Sequence, residues 1–139
     1  MNTKLRILAM IGAIWMIPVA CADIVVIVNP NNPVNLSSEE IKNIFLGKSK
    51  YFPDGKPALP IQLKEGSQGY ETFAEHVLQK NDNQLRAYWS RLVFTGRSTP
   101  PKEIESEAEV VDLVAHNPNL IGYVSQNVVQ NAKVREIKP

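Results

Sequence analysis

A continuous run of β-branched residues, Ile24–Val28, constrains the fold of this chain more than any other feature. A strand with one solvent face alternates apolar and polar residues, whereas a strand covered on both faces is apolar throughout. The run therefore predicts a central strand of a sheet that has helices on both faces. Residues 29–33 (Asn-Pro-Asn-Asn-Pro) end it, because proline cannot pair in a sheet and asparagine favours turns.

Capping signals and apolar stripes with helical spacing follow along the chain. The four predicted helices extend from Ser37 to Gly47, over a stripe from Tyr70 to Leu78, from about Asn81 to near Gly96, and from Ser106 to about His116. Further strands are predicted at residues 58–63, 121–124 and 134–137, and residues 98–105 are predicted as a loop. Pro60 indicates that the second strand lies at a sheet edge or that the strand starts there.

This alternation predicts an α/β fold, with a single mixed or mostly parallel sheet flanked by helices. The helix at 81–96 places Tyr88, Trp89 and Val93 on its inward stripe, and the two aromatic residues are expected in the core rather than lining a pocket. The predicted core consists of the apolar positions of the strands and the inward helix stripes: Val26, Val28, Ile44, Phe45, Phe73, Val77, Trp89, Leu92, Val111 and Ile121.

The start of the chain has the three parts of a secretory signal peptide: a basic stretch, an apolar run over 7–20, and small residues at 20–22. Cleavage is expected before Asp23, so that residues 1–22 are the signal peptide and 23–139 the α/β domain. The alternative is a lipoprotein anchored at Cys21, although Pro18 stands where a lipobox has an aliphatic residue. After cleavage no stable membrane span is expected.

Charge and cysteine content exclude several classes of function. The chain has 15 basic residues, and without Lys4 and Arg6 this leaves 13 against 14 acidic ones, a net charge of about −1. No basic field for nucleic acid exists, and cleavage removes the single cysteine. His76 and His116 stand apart from other ligands, so no metal or cofactor is expected. Nucleotide-binding and nucleophile-elbow motifs are absent from the sequence, which indicates a protein that is not an enzyme.

The strongest candidate site is the segment 64–69 (Lys-Glu-Gly-Ser-Gln-Gly) between a predicted strand and a predicted helix. A helix N-terminus has unpaired N–H groups and a positive dipole end, which together attract an oxyanion. The expected ligands are the Ser67 hydroxyl and the N–H groups of Gln68 and Gly69, with Lys64 adding a charge. The alternative is that Ser67 only caps the helix.

Two arginines further along are additional candidates for this site. Arg91 and Arg97 flank residues 92–96, and a guanidinium can bind a phosphate or carboxylate through two hydrogen bonds. The alternative is that both are solvated charges placed favourably at a helix C-terminus.

Three segments of the chain form an ordered set: the Ile-Phe-Leu-Gly-Lys sequence at 44–48, the Gly-Ser turn at 66–67 with Phe73 six residues after the serine, and the Ile-Gly-Tyr-Val sequence at 121–124. Taken together, they resemble the phosphate-type periplasmic substrate-binding proteins of ABC transporters. Ser67 matches the family's phosphate-binding serine. Gln68 and Gly69 stand where the family has glycine and threonine, and Leu63 stands where it has arginine.

The resemblance implies the fold of one lobe of a type II periplasmic binding protein. It also implies a periplasmic location, inorganic phosphate or another small oxyanion as ligand, and an ABC permease or envelope protein as partner. The alternative function is a protein-interaction or sensor-accessory module of the cell envelope that has kept the fold and lost the ligand.

Overall fold

The computed structural model of the chain describes residues 23–138. The signal peptide predicted over residues 1–22, with cleavage before Asp23, lies outside these described residues. Within residues 23–138 there is no helix that combines the length and the apolar character needed to cross a bilayer.

The elements alternate between strands and helices, and only two short ones, the strand at 102–104 and the helix at 126–129, are absent from the sequence prediction. In chain order they are β1 (Ile24–Val28), α1 (Ser38–Phe45), β2 (Leu59–Leu63), α2 (Gln68–Phe73), a π-helical turn (Ala74–Leu78), α3 (Asp82–Phe94), β3 (Lys102–Ile104), α4 (Glu107–His116), β4 (Leu120–Ser125), α5 (Gln126–Val129) and β5 (Arg135–Ile137).

The strands form one mixed sheet in the order β3-β2-β4-β1-β5. Strand β2 is parallel to β3 and β4, and β1 is antiparallel to β4 and β5. The α/β fold class with a mixed sheet is therefore confirmed. The prediction that β1 is the central strand was wrong, because β4 has the middle position among the five strands. Strand β1 lies between β4 and the short strand β5, which pairs with it at Val26–Val28 only.

Neighbouring residues of β4 show that helices cover both faces of the sheet. Successive side chains of a strand point to opposite faces. A Cβ atom added to Gly122 would lie 2.8 Å from a methyl carbon of Val110 on α4. Tyr123 instead packs against Phe45 of α1 and Phe73 of α2. Gly122 thus lets α4 approach one face closely, while α1 and α2 cover the other.

Local signals placed the helix starts correctly. Ser37 and Glu40 form the predicted capping box of α1, and Asn81 forms another with Gln84 at the start of α3. Ser106 caps α4 by accepting a hydrogen bond from the Glu109 N–H group.

Pro60 lies at the start of β2 and not on a sheet edge. It pairs with Ile121 of β4, whereas the pairing of β2 with β3 begins only at Ile61. The Leu59 N–H group donates to the Asn119 carbonyl on the β4 side, so the proline nitrogen faces the side where β3 has not yet begun.

Three of the sequence predictions need correction. The expected loop at 98–105 contains β3, a three-residue edge strand. Val93 was placed on the inward face of α3 but is 51 % exposed, because the last turn of α3 extends beyond the core. Val77, Tyr88, Leu92 and Val111 are only partly buried, and Val110 rather than Val111 faces the sheet. The other predicted core residues are buried: Val26, Val28, Ile44, Phe45, Phe73, Trp89 and Ile121.

Candidate functional site

A cavity of about 290 Å³ lies where β2 and β4 end and β1 begins. In sheets of this type, ligands bind outside the carboxyl ends of the parallel strands. The cavity is lined by Ile24, Leu63, Ser67, Gln68, Gly69, Thr72, Glu105, Glu107 and Ser125. Three of the four residues predicted as oxyanion ligands therefore line one cavity, and Lys64 lies at the start of the same turn.

The chain enters α2 through a tight turn over residues 64–67. The Ser67 N–H group donates to the Lys64 carbonyl at 3.0 Å, which closes a four-residue turn. Gly66 at the third position has φ +84°, as a type II turn requires, and glycine adopts this conformation without strain. The Glu65 N–H group donates to the Glu103 carboxylate of β3 at 2.9 Å, which fixes the turn to the edge strand.

Ser67 is the N-cap of α2. Its hydroxyl oxygen accepts a hydrogen bond from the Tyr70 N–H group at 3.3 Å, and the hydroxyl donates to the Lys64 carbonyl at 2.7 Å. The hydroxyl must therefore rotate away from the carbonyl before it can donate to a ligand. The N–H groups of Gln68 and Gly69 are in the first turn, where the helix itself provides no acceptor.

Leu63 and Gly69 fit each other at the floor of the cavity. A Cβ atom added to Gly69 would lie 2.6 Å from a methyl carbon of Leu63, so a larger residue at 69 requires Leu63 to move. Leu63 is buried, and it stands at the position where the resembling family has arginine. An apolar side chain therefore fills the place that the sequence resemblance assigned to a cation.

Two carboxylates contribute to the cavity wall. The Glu107 carboxylate accepts hydrogen bonds from the Ser125 N–H group at 2.8 Å and from the Ser125 hydroxyl at 2.6 Å, which ties α4 to the end of β4. The Glu105 carboxylate lies 3.7 Å from the Lys64 ammonium group, and both side chains are largely exposed. The side chains that line the cavity therefore include two carboxylates and no cation, and Lys64 adjoins the cavity through its ion pair with Glu105.

The two arginines that the sequence suggested as ligands lie apart from the cavity. Arg91 and Arg97 are exposed and line no part of it. The arginine that contacts the turn is Arg86 of α3, whose guanidinium lies 3.2 Å from the Glu65 carboxylate. The structure thus gathers Lys64, Ser67, Gln68 and Gly69 but does not bring Arg91 or Arg97 to them.

Tyr123 of β4 contacts the end of β2, directly before the turn. The Leu63 N–H group donates to its hydroxyl oxygen at 3.1 Å, and its ring stacks on Phe73 with centroids 3.8 Å apart. Burial raises the pKa of the Tyr123 phenol above its ordinary value. The tyrosine of the 121–124 motif therefore joins the end of β2 to α2.

Replacing Tyr123 with phenylalanine should lower the free energy of unfolding by about 1–3 kcal/mol, because the Leu63 N–H group is then buried without an acceptor. Urea unfolding of the purified protein measures this loss. Tyr51→Phe is the matched control, since Tyr51 is 59 % exposed. A loss no larger than that of the control would contradict the role given to the Tyr123 hydroxyl.

Sequence reasoning missed the acidic and hydroxyl residues of the cavity. The glutamates at 103, 105, 107 and 109 form a local pattern that is typical of a capped and solubilised helix start. Glu103 and Glu107 instead hold the turn and the end of β4, and Glu105 pairs with Lys64. The bond between Glu107 and Ser125 joins residues far apart in sequence, which no local pattern indicates.

Solved structures share this fold. The chain superposes on an ABC-type phosphate transport receptor from Vibrio cholerae with a TM-score of 0.66 at 20% identity, covering 83% of this chain and 45% of the receptor. A Clostridium perfringens protein, crystallised with bound phosphate and assigned as a phosphate ABC transporter substrate-binding protein, gives a TM-score of 0.65 at 24% identity, over 83% of this chain and 44% of that one. PstS from Borrelia burgdorferi gives a TM-score of 0.63 at 14% identity, covering 83% of this chain and 46% of PstS.

The chain spans less than half the length of these structures. At these low identities the structural likeness shows the fold alone, which is that of one lobe of a periplasmic binding protein. A comparison with curated protein sequences gives no match. The family model described as PBP superfamily domain matches residues 6–138, almost the entire sequence. The chain therefore belongs to the PBP superfamily.

Proposed function

We propose that this protein is an exported, non-enzymatic binding protein that holds a small oxyanion of the phosphate type at the turn 64–69. One observation above all supports this: Gln68 and Gly69, whose N–H groups have no acceptor within the helix, line a cavity at the carboxyl ends of β2 and β4. The phosphate ligands named for structures of the same fold give the oxyanion class.

The charges at the cavity favour an oxyanion that keeps a proton. The helix N-terminus and Lys64 attract an anion, whereas Glu105 and Glu107 repel one. A carboxylate can only accept hydrogen bonds, so it tolerates a ligand whose O–H group donates a hydrogen bond to it. Monohydrogen phosphate has such a proton and sulfate at neutral pH does not, so phosphate should bind more tightly than sulfate.

Binding should be weak, in the millimolar range, which corresponds to about −4 kcal/mol. The Ser67 hydroxyl gives up its bond to the Lys64 carbonyl on binding, and Leu63 provides no charge. Calorimetric titration of the purified protein with phosphate, sulfate and small carboxylates at low salt tests the proposal, because low ionic strength preserves exposed electrostatic attraction.

Two substitutions of Ser67 separate the ligand role from the capping role. Ser67→Ala should weaken phosphate binding by about 1–3 kcal/mol and lower stability by about 1 kcal/mol, since it removes both a donor and the cap. Ser67→Asp keeps a capping oxygen but adds negative charge, so it should abolish phosphate binding and leave stability nearly unchanged. Unaltered phosphate binding in Ser67→Asp would contradict the proposed site.

A protein-interaction or sensor-accessory module is the second candidate function. The observation in its favour is that the Ser67 hydroxyl is bonded within the turn in both directions, as expected of a cap without a ligand. Absence of phosphate binding in the titration would favour this function. An ABC permease or another envelope protein is the proposed partner in either case.

We further propose a periplasmic location, supported by the basic, apolar and small-residue order of residues 1–22. The intact mass of the protein recovered from periplasmic extract should correspond to a chain that begins at Asp23. A mass that includes Cys21 with attached lipid would instead identify a lipoprotein and overturn simple cleavage.

A further inference from the structure

The end of α3 exposes two large apolar side chains. Phe94 is 92 % exposed and Val93 is 51 % exposed, whereas Leu85 and Trp89 of the same helix are buried. A phenylalanine with its whole ring in water is unfavourable for an isolated domain, because apolar surface gains free energy on burial. Contiguous exposed apolar surface of this kind is typical of an interaction site.

A groove of about 500 Å³ adjoins these two residues. Its exposed apolar lining comes from Val93, Phe94 and Pro100, and the buried residues Tyr70, Leu85 and Trp89 lie behind them. Glu65 and Arg86 also line it. Burial, together with the negative charge of nearby carboxylates, raises the pKa of the Tyr70 phenol to about 12. The groove is concave and mostly apolar, which suits one inserted apolar side chain.

Unneutralised positive charge flanks Phe94. Arg91 is its neighbour one turn earlier on the helix surface, and the Arg97 N–H group donates to the Leu92 carbonyl, which places Arg97 at the same helix end. Within residues 23–138, neither guanidinium lies within 4.0 Å of a carboxylate. Arg86, in contrast, is paired with Glu65.

We propose that the Phe94 surface, formed by Arg91, Val93, Phe94, Arg97 and the adjoining groove, binds a segment of another protein that has a large apolar side chain flanked by carboxylates. The apolar side chain enters the groove beside Phe94 and Trp89, and the carboxylates pair with Arg91 and Arg97. Aromatic and arginine residues are the usual anchors of protein interfaces, and a guanidinium pairs with carboxylates through two hydrogen bonds.

A protein segment fits this surface better than a lipid bilayer does. A bilayer offers no side chain to fill a concave groove, and stable electrostatic attachment to anionic lipid requires a larger cluster of cations than two arginines. The net charge of about −1 for the chain from Asp23 onward also disfavours attraction to an anionic membrane.

The test uses the purified, isotope-labelled protein and three synthetic probes. The first is an acidic peptide with a central Leu-Phe pair between Glu and Asp residues, the second has Lys in place of the acidic residues, and the third is acidic with Ser-Gly in place of Leu-Phe. Only the first should shift the amides of residues 91–97 and the indole N–H signal of Trp89. The shift should diminish as salt is added.

Variants at the surface should weaken binding of the acidic Leu-Phe peptide by about tenfold or more, as expected for interface anchors. They are Phe94→Ser and the double variant Arg91→Glu with Arg97→Glu. Tyr51→Ser is the matched control, because Tyr51 is an exposed aromatic residue outside the groove. Thermal unfolding of each variant should match that of the unaltered protein, which excludes misfolding as the cause.

Several results would overturn the proposal. These are no shift at residues 91–97 with the acidic Leu-Phe peptide, equal binding of the lysine peptide, or binding that Phe94→Ser leaves unchanged. Binding to vesicles of equal parts phosphatidylglycerol and phosphatidylcholine that depends on Phe94 would identify a membrane as the occupant. Self-association in sedimentation velocity that Phe94→Ser removes would identify a second copy of this chain.

Discussion

Replacing Phe73 with alanine should lower the free energy of unfolding by about 3–5 kcal/mol, the range for removing a buried aromatic ring. Phe73 is 2% exposed. Its ring stacks on Tyr123 with an interplanar angle of 3° and meets the edge of Phe45 at a centroid distance of 4.7 Å. These three rings join α1, α2 and β4, so the substitution leaves a cavity between the sheet and two helices.

Urea unfolding monitored by far-ultraviolet circular dichroism measures this loss. Tyr51→Ala is the control, because it removes a ring of similar size from a position 59 % exposed, and it should change stability by less than about 0.5 kcal/mol. A loss below about 1 kcal/mol for Phe73→Ala would mean that the aromatic cluster does not hold α2 to the sheet.

Trp89→Ala should have an effect of similar size, about 3–5 kcal/mol, because Trp89 is 9 % exposed and packs beneath the end of α1. A Cβ atom added to Gly47 would lie 3.5 Å from the Trp89 ring, and the neighbouring Tyr88 hydroxyl donates to the Leu46 carbonyl at 2.6 Å. Removing the indole therefore loosens the contact between α3 and the two residues that follow α1, Leu46 and Gly47.

The matched control is Phe94→Ala on the same helix, which removes a ring that is 92 % exposed. It should alter the free energy of unfolding by less than about 0.5 kcal/mol, as is usual for surface substitutions. The same urea titration serves both variants. Equal losses for Trp89→Ala and Phe94→Ala would contradict the assignment of buried and exposed faces to α3.

Local signals in the sequence predicted most of the framework. The β-branched run of β1 and the caps of α1, α2, α3 and α4 depend on residues within a few positions of one another, so they are readable without tertiary information. The short strand β3 was missed because two of its three residues, Lys102 and Glu103, are charged and exposed, and its strand conformation depends on pairing with β2.

The end of α3 shows a second reason for failure. Val93 continues the apolar stripe of Leu85 and Trp89 in sequence, yet the last turn of α3 is exposed. Periodicity gives the direction of a side chain on its helix but not whether a neighbouring element is there to cover it. The exposure of Val93 and Phe94 is therefore a property of the tertiary structure.

For the candidate site, the sequence indicated the segment 64–69 because a glycine turn before a helix is a local pattern. It did not indicate the carboxylates of Glu105 and Glu107 or the hydroxyl of Ser125. These residues reach the cavity only because β2, β3 and β4 are parallel neighbours whose carboxyl ends meet at one edge. The electrostatic balance of the site thus depends on sheet order, which the sequence alone did not give.

The most direct test of the central proposal is the amide chemical shift of residues 67–70 in the isotope-labelled protein as phosphate is added to millimolar concentration. We expect saturable shifts of the Ser67, Gln68, Gly69 and Tyr70 amides, larger with phosphate than with sulfate, and none in Ser67→Asp. If these four amides do not move with either anion, the turn is a structural cap alone and the proposed oxyanion site is wrong.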